Sequence, residues 1–174
     1  SGVEVTESWS GAGIRTAMCV PILGHDGQAI GIIQLDSRVQ KVVFGPEDLE
    51  LLAAHCIWLT EEDIALLQEA GVAVAHNPIA NMYLGSGICQ VPRMLQAGMT
   101  VGLGTDGAAS NNNQNMFGVL KATALLQKVT HLDAAVIEAR TVVRMGTLGG
   151  AQALGLATEI GSLEPGKRAD MVLL

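Results

Sequence analysis

The stretch Val101-Gly102-Leu103-Gly104-Thr105-Asp106-Gly107 constrains this chain more than any other. Short apolar residues running into Gly-Thr-Asp-Gly form the pattern of a buried parallel strand handing over to a loop. Asp106 then stands at the carboxyl end of a strand, the edge where α/β enzymes gather their chemistry. Gly104 and Gly107 are expected to give the backbone freedom to aim that carboxylate into a site. An Asp placed this way can equally cap its own loop, so the rest of the chain has to decide between the two.

The flanking segments repeat one unit. Thr60-Glu61-Glu62-Asp63 has the form of a capping box ahead of Ile64-Ala65-Leu66-Leu67, and Gly71 closes that helix. Val72-Ala73-Val74-Ala75 reads as a short buried strand ending at His76-Asn77-Pro78. Pro92 opens a second helix and Gly98 closes it; the strand Met99–Gly104 follows, then a long helix from about Met116 to Lys128. With Ala54-His55-Cys56 ending an earlier strand, the alternation predicts parallel βα units with right-handed crossovers. His55, His76 and Asp106 then fall at three consecutive strand ends on one edge of the sheet, which favours a site over a simple cap. Further on, Asp133 is expected to cap a helix over Ala134–Arg140, Thr147–Leu154 to form another, and Ala169–Leu174 a strand. His131 is read as a surface residue.

The first third has a different rhythm. Ala17–Leu23 and Gln28–Asp36 flank the turn sequence Gly24-His25-Asp26-Gly27, which predicts an antiparallel hairpin with His25 solvated in its turn. A helix is expected from Phe44 to about Ala53, with Pro46 in its first turn.

Composition narrows the function classes. The chain has 174 residues, enough for one or two domains and a core burying roughly 70% of the unfolded surface. Aromatics at 3% with 21 Gly suit tightly packed parallel strands. A net charge of -7 argues against nucleic acid or an anionic membrane as partner. No apolar run approaches the roughly 18 residues of a membrane span, and no signal peptide opens the chain, so a cytoplasmic protein is expected. Cys19, Cys56 and Cys89 lack metal-type spacing and read as small buried apolar residues of a reduced protein.

Residues from about 10 to 53 resemble the closing half of a GAF domain, a small sensory module. The resemblance is carried by Met18-Cys19-Val20-Pro21-Ile22, by Gly31-Ile32-Ile33-Gln34-Leu35-Asp36 and by Phe44-Gly45-Pro46-Glu47-Asp48-Leu49-Glu50-Leu51-Leu52. A whole module of that kind encloses a small ligand; half of one does not, and no ligand residues are assigned.

From about residue 54 to 174 the chain strongly resembles the amidohydrolase superfamily, in its purine and triazine deaminase branch. The nearest groups are the methylthioadenosine/S-adenosylhomocysteine deaminases and the triazine aminohydrolases. The matching motifs are Ala54-His55-Cys56 with Leu59-Thr60, and Val74-Ala75-His76-Asn77-Pro78 with Asn81 and Leu84-Gly85-Ser86-Gly87. They continue through Val101–Gly107 with Ser110-Asn111-Asn112, and close with Ile160–Asp170. The fold implied is α/β: the last three βα units of a TIM barrel with the start of a small β domain, over residues 54–174, preceded by the GAF-like hairpin and helix of residues 1–53.

The reaction implied is hydrolytic removal of an amino group from a heteroaromatic ring. A divalent metal, zinc or iron, would supply hydroxide by lowering the pKa of bound water. By the resemblance, Asp106 would ligate that metal and shuttle the proton, His55 would polarise the ring beside it, and His76 would line the substrate pocket. The family's other ligands are a His-x-His pair and a further His. This chain has four His and no His-x-His, so only Asp106 carries over as a metal ligand. Unless His55 and His76 swing onto a metal, the chain by itself is expected to be inactive.

The two resemblances collide. Leu49–Ala54 belongs to a helix under the first, Leu51–Cys56 to a strand under the second, and such a conflict predicts a join between unrelated segments. A three-stranded sheet cut from a barrel has two open edges, so a homo-oligomer or domain swap is expected. The partner implied is a small heteroaromatic amine. A GAF-like sensory or interaction module, or a non-functional fusion, are the alternatives.

Overall fold

The computed structural model describes residues 16–23, 29–37 and 52–173, the first two segments as backbone. The chain divides into two compact units, Ser1–Leu49 and Glu50–Leu174. In the first unit, β1 (Thr16–Leu23) and β2 (Ala29–Ser37) pair antiparallel, from Thr16 opposite Ser37 to Leu23 opposite Ala29. The register shifts between Ile22 and Leu23. The expected hairpin is therefore present. Its turn with His25, the Cys19 side chain and residues 38–51 lie outside the described residues.

The second unit is built on a parallel sheet in the order β3–β4–β5: Leu52–Ala54, Ala73–His76 and Val101–Leu103. Leu52 pairs with Ala73 and Val74 with Val101, each run continuing in register for three residues. Leu52–Ala54 is thus a strand and not the end of a helix, which corrects the helical expectation there. Apolar β-strand residues buried on both faces favour the sheet, and Val74 and Val101 are almost wholly buried in it.

Each crossover is helical. Helix α1 (Glu61–Glu69) joins β3 to β4 and starts with the predicted capping box: Thr60 Oγ1 accepts from the Asp63 N–H while the Asp63 carboxylate accepts from the Thr60 N–H. Caps of this kind contribute about 1 kcal/mol. Helices α2 (Pro78–Tyr83) and α3 (Val91–Gln96) join β4 to β5. After β5 come α4 (Ala108–Asn111) and the long α5 (Met116–His131), capped by Asn115, whose side chain accepts from the Phe117 and Gly118 N–H groups. The core gathers Ile64, Val74, Val91, Met94, Met99, Val101, Ile137, Val142 and Met145.

Helix α6 (Ala139–Arg144) runs without a break through a π-helical turn, Met145–Gly149, into α7 (Gly150–Ala153), close against β5. At Gly149 a Cβ would stand 2.9 Å from the Val101 carbonyl, so a side chain there would push the helix off the strand.

Three other expectations are corrected. Asp133 does not start a helix over 134–140; its carboxylate accepts from the Ala135 N–H in a local turn, Ile137 enters the core, and the helix begins only at Ala139. Ala169–Leu173 forms no strand, since no described strand pairs with it, and Met171, Val172 and Leu173 are exposed. His131 is half-buried at the end of α5, with its Nε2 enclosed and unpartnered. Among the described residues, no helix is long and apolar enough to cross a membrane.

Candidate active site at the carboxyl edge of the parallel strands

The three strand ends converge. His55 directly follows β3, and its N–H still joins the ladder through the Ala75 carbonyl at 2.9 Å. His76 is the last residue of β4, and Asp106 lies three residues beyond β5. His55 Nε2 stands 3.7 Å from Asp106 Oδ2, each side chain about one third exposed. His55, Cys56 and Asp106 all take left-handed backbone, at φ 67°, 46° and 61°. Non-glycine residues held there carry strain that the surrounding structure must support. The left-handed residue is Asp106 itself, while Gly107 has an ordinary φ of -65°. Gly104 serves differently, because a Cβ there would collide with the Asn77 side-chain amide.

Hydrogen bonds fix the Asp106 loop. Asp106 Oδ1 accepts from the Gly107 N–H at 2.7 Å and Oδ2 from the Ser110 hydroxyl at 3.0 Å. These bonds, the backbone one first, then Ser110, then the nearby His55, hold its carboxyl below the usual carboxylate range. Behind it, buried Asn111 donates from Nδ2 to the Thr105 carbonyl at 2.6 Å, and Gln114 Nε2 donates to the Asp106 carbonyl at 3.2 Å. The result is an anionic carboxylate at neutral pH on a braced loop.

His76 is different in kind. It is fully buried, and neither ring nitrogen has a hydrogen-bond partner. Burial, and secondarily the neighbouring His55, lowers its pKa to about 4, so the ring is neutral at pH 7. His55 in turn is held from behind by Asn81 of α2, whose Oδ1 lies 2.6 Å from His55 Nδ1. Asn81, Ser110 and Gln114 were not assigned roles from sequence. The signal for Asn81 was its place one helical turn beyond His76-Asn77-Pro78 in a helix too short to show periodicity.

A catalytic zinc takes about three protein ligands and an open position. Among the described residues no group of three or more His, Cys, Asp or Glu side chains is placed to hold a metal ion. His55 Nε2 and Asp106 Oδ2 offer two donors, and two do not make such a site.

A family model for the amidohydrolase family matches residues 26–174. The chain belongs to the amidohydrolase family. Among curated relatives of this amidohydrolase, the 5-methylthioadenosine/S-adenosylhomocysteine deaminase of Desulforudis audaxviator is 58% identical over 123 residues, 71% of this chain and 29% of that protein. A 5'-deoxyadenosine deaminase of Methanosarcina mazei is 50% identical over 131 residues, 75% of this chain and 29% of that protein. The chain thus spans under one third of the length of the curated relatives it matches.

Solved structures agree on the fold. An adenosine deaminase from Xanthomonas campestris with bound zinc is 45% identical at a TM-score of 0.67, over 69% of this chain and 27% of that one. An atrazine chlorohydrolase from Arthrobacter aurescens, complexed with zinc, is 36% identical at a TM-score of 0.64, over 68% of this chain and 26% of that one.

Proposed function

We propose that residues 52–173 form the proton-handling and ring-contacting part of a deaminase site for adenosine-type substrates. The observation that carries this reading is the meeting of His55 Nε2 and Asp106 Oδ2, 3.7 Å apart at the carboxyl edge of the parallel strands. The names of the relatives choose the substrate class; the geometry supplies the chemistry. Hydrolytic deamination needs a group that takes a proton from water and returns it to the departing amine. Asp106 suits that task, being ionised at neutral pH and about one third exposed beside His55. His55 faces the same space and would stabilise charge developing on the ring. His76 supplies a neutral, apolar-enclosed imidazole that shapes the floor beneath.

The zinc recorded in the neighbours does not fit the described residues by themselves. The chain alone is accordingly expected to release no ammonia from 5'-deoxyadenosine or 5-methylthioadenosine, with or without added zinc. The complementary experiment puts residues 52–173 in place of the matching segment of the Desulforudis audaxviator deaminase. That hybrid is expected to deaminate within about tenfold of its parent, since no step should lose more than about 1.4 kcal/mol. A folded, zinc-loaded hybrid without activity would overturn the reading.

A further inference from the structure

Helix α5 has its polarity reversed. Its inward face, Val119, Thr123 and Gln127, is fully buried although two of the three are polar. Thr123 donates its hydroxyl to the Val119 carbonyl, and Gln127 Nε2 donates to the Cys89 carbonyl. Outward stand Leu125 and Val129, 55% and 65% exposed, and the row runs on into Leu132 at 92%. Their spacing, i, i+4 and i+7, sets the three along one stripe. A helix that faces only water shows the opposite arrangement.

Leu132 is unfavourable twice over. It caps the helix in left-handed backbone, at φ 51°, where Gly or Asn is the usual residue, and it is exposed as well. With Met82 of α2 the stripe lines a groove of about 650 Å³. Two charges border that groove, Lys128 and Asp133, and among the described residues neither has an ion-pair partner. Asp133 makes only its local bond from the Ala135 N–H. An apolar stripe bordered by one cation and one anion is complementary to itself. Under two-fold symmetry, residue i of one copy meets residue j of the other while j meets i. An axis between Val129 and Leu132 lays each Val129 against Leu132 of the second copy, and brings each Lys128 to Asp133 of that copy. A groove of a single sign would call for a partner of opposite charge; this one calls for a copy of itself.

We propose that the outward face of α5 is the surface through which two copies of this chain associate, as a two-fold dimer centred on Val129 and Leu132 and closed by two Lys128–Asp133 pairs. The contact is made by side chains of a helix that packs on α2 and α6, so the copies meet without exchanging strands. It does not rest on the deaminase reading: a chain without activity dimerises all the same.

The test is sedimentation velocity on the full chain over a range of concentrations. The unmodified chain is expected to pass from monomer to dimer as the concentration rises. Leu132→Asn, which the left-handed backbone accepts readily, keeps the fold and is expected to weaken the dimer about tenfold or more. Lys128→Glu and Asp133→Lys, each alone, set like charges against each other at both ends of the contact. Each is expected to be monomeric where the unmodified chain is dimeric. Mixed in equal amounts, the two variants restore both opposite-charge pairs, and the mixture is expected to sediment as a heterodimer. An unmodified chain that stays monomeric at every concentration overturns the proposal and leaves the face to a partner of different sequence. An oligomer that persists unchanged in Leu132→Asn overturns it in favour of association through the open strand edges. A mixture no more dimeric than its two components overturns the two-fold pairing.

Discussion

Asp106→Asn in the hybrid deaminase is expected to cut ammonia release by about 10²–10⁴-fold, the share usually carried by a placed acid–base group. The amide keeps the shape of the side chain: its oxygen can still accept from the Gly107 N–H, and its NH2 can donate to the Ser110 hydroxyl oxygen in place of the bond the carboxylate accepted. It cannot take up a proton and pass it on. The fall should therefore lie in kcat with little change in KM, which steady-state kinetics separates. Ser110→Ala makes the milder companion: without that hydroxyl, one of the bonds that depress the Asp106 pKa is gone, and the acid limb of the activity profile moves to higher pH. An Asp106→Asn hybrid within a few fold of its parent would remove Asp106 from the chemistry.

The second large effect is on stability in acid, and it belongs to His76. Its folded-state pKa is about 4 against 6.5 unperturbed. Between those values the unfolded chain binds a proton that the folded chain refuses. His76 therefore leaves stability intact above about pH 6.5 and withdraws it as the pH falls toward 4. Moving from neutral pH to 4.5 should cost about 2.5 kcal/mol from this residue, a large part of the stability of an ordinary domain. Urea unfolding at the two pH values measures it, with the loss disappearing in His76→Leu. The depressed Asp106 carboxyl acts in the same direction but only at lower pH, because its unfolded value is near 3.8. Equal stability at both pH values, or the same loss in the variant, contradicts the burial of a neutral His76.

Much of this architecture was written in local patterns. The capping box Thr60–Asp63, the helix-closing Gly71 and Gly98, and the runs into His76 and Asp106 each fix a boundary by backbone chemistry. Those signals place the strand ends, and the strand ends place the site. Where sequence misled, longer-range packing decided. Asp133 looks like a helix cap, but burying Ile137 needs a non-helical link between α5 and α6. Ala169–Leu173 has a strand's composition without a described strand to pair with. At Leu52–Ala54, residues that suit helix or strand alike are settled by pairing with Ala73–Ala75.

The site itself was legible in residue types and less so in mechanism. His55, His76 and Asp106 could be found from their positions after apolar runs. That His76 is sealed away from polar partners, and that Asn81 grips the back of His55, depend on distances between elements 26 residues apart or more. In the first unit the two expected strands pair antiparallel as β1 and β2; the likeness of this segment to a GAF domain is carried by the residue pattern alone.

The most direct measurement is a crystal structure of the hybrid with an unreactive purine ribonucleoside analogue bound. The account predicts the purine at the carboxyl ends of β3, β4 and β5, with its C6 substituent between His55 Nε2 and the Asp106 carboxylate and His76 enclosed below. A purine bound elsewhere, or His55 and Asp106 turned to different faces of the sheet, would contradict it.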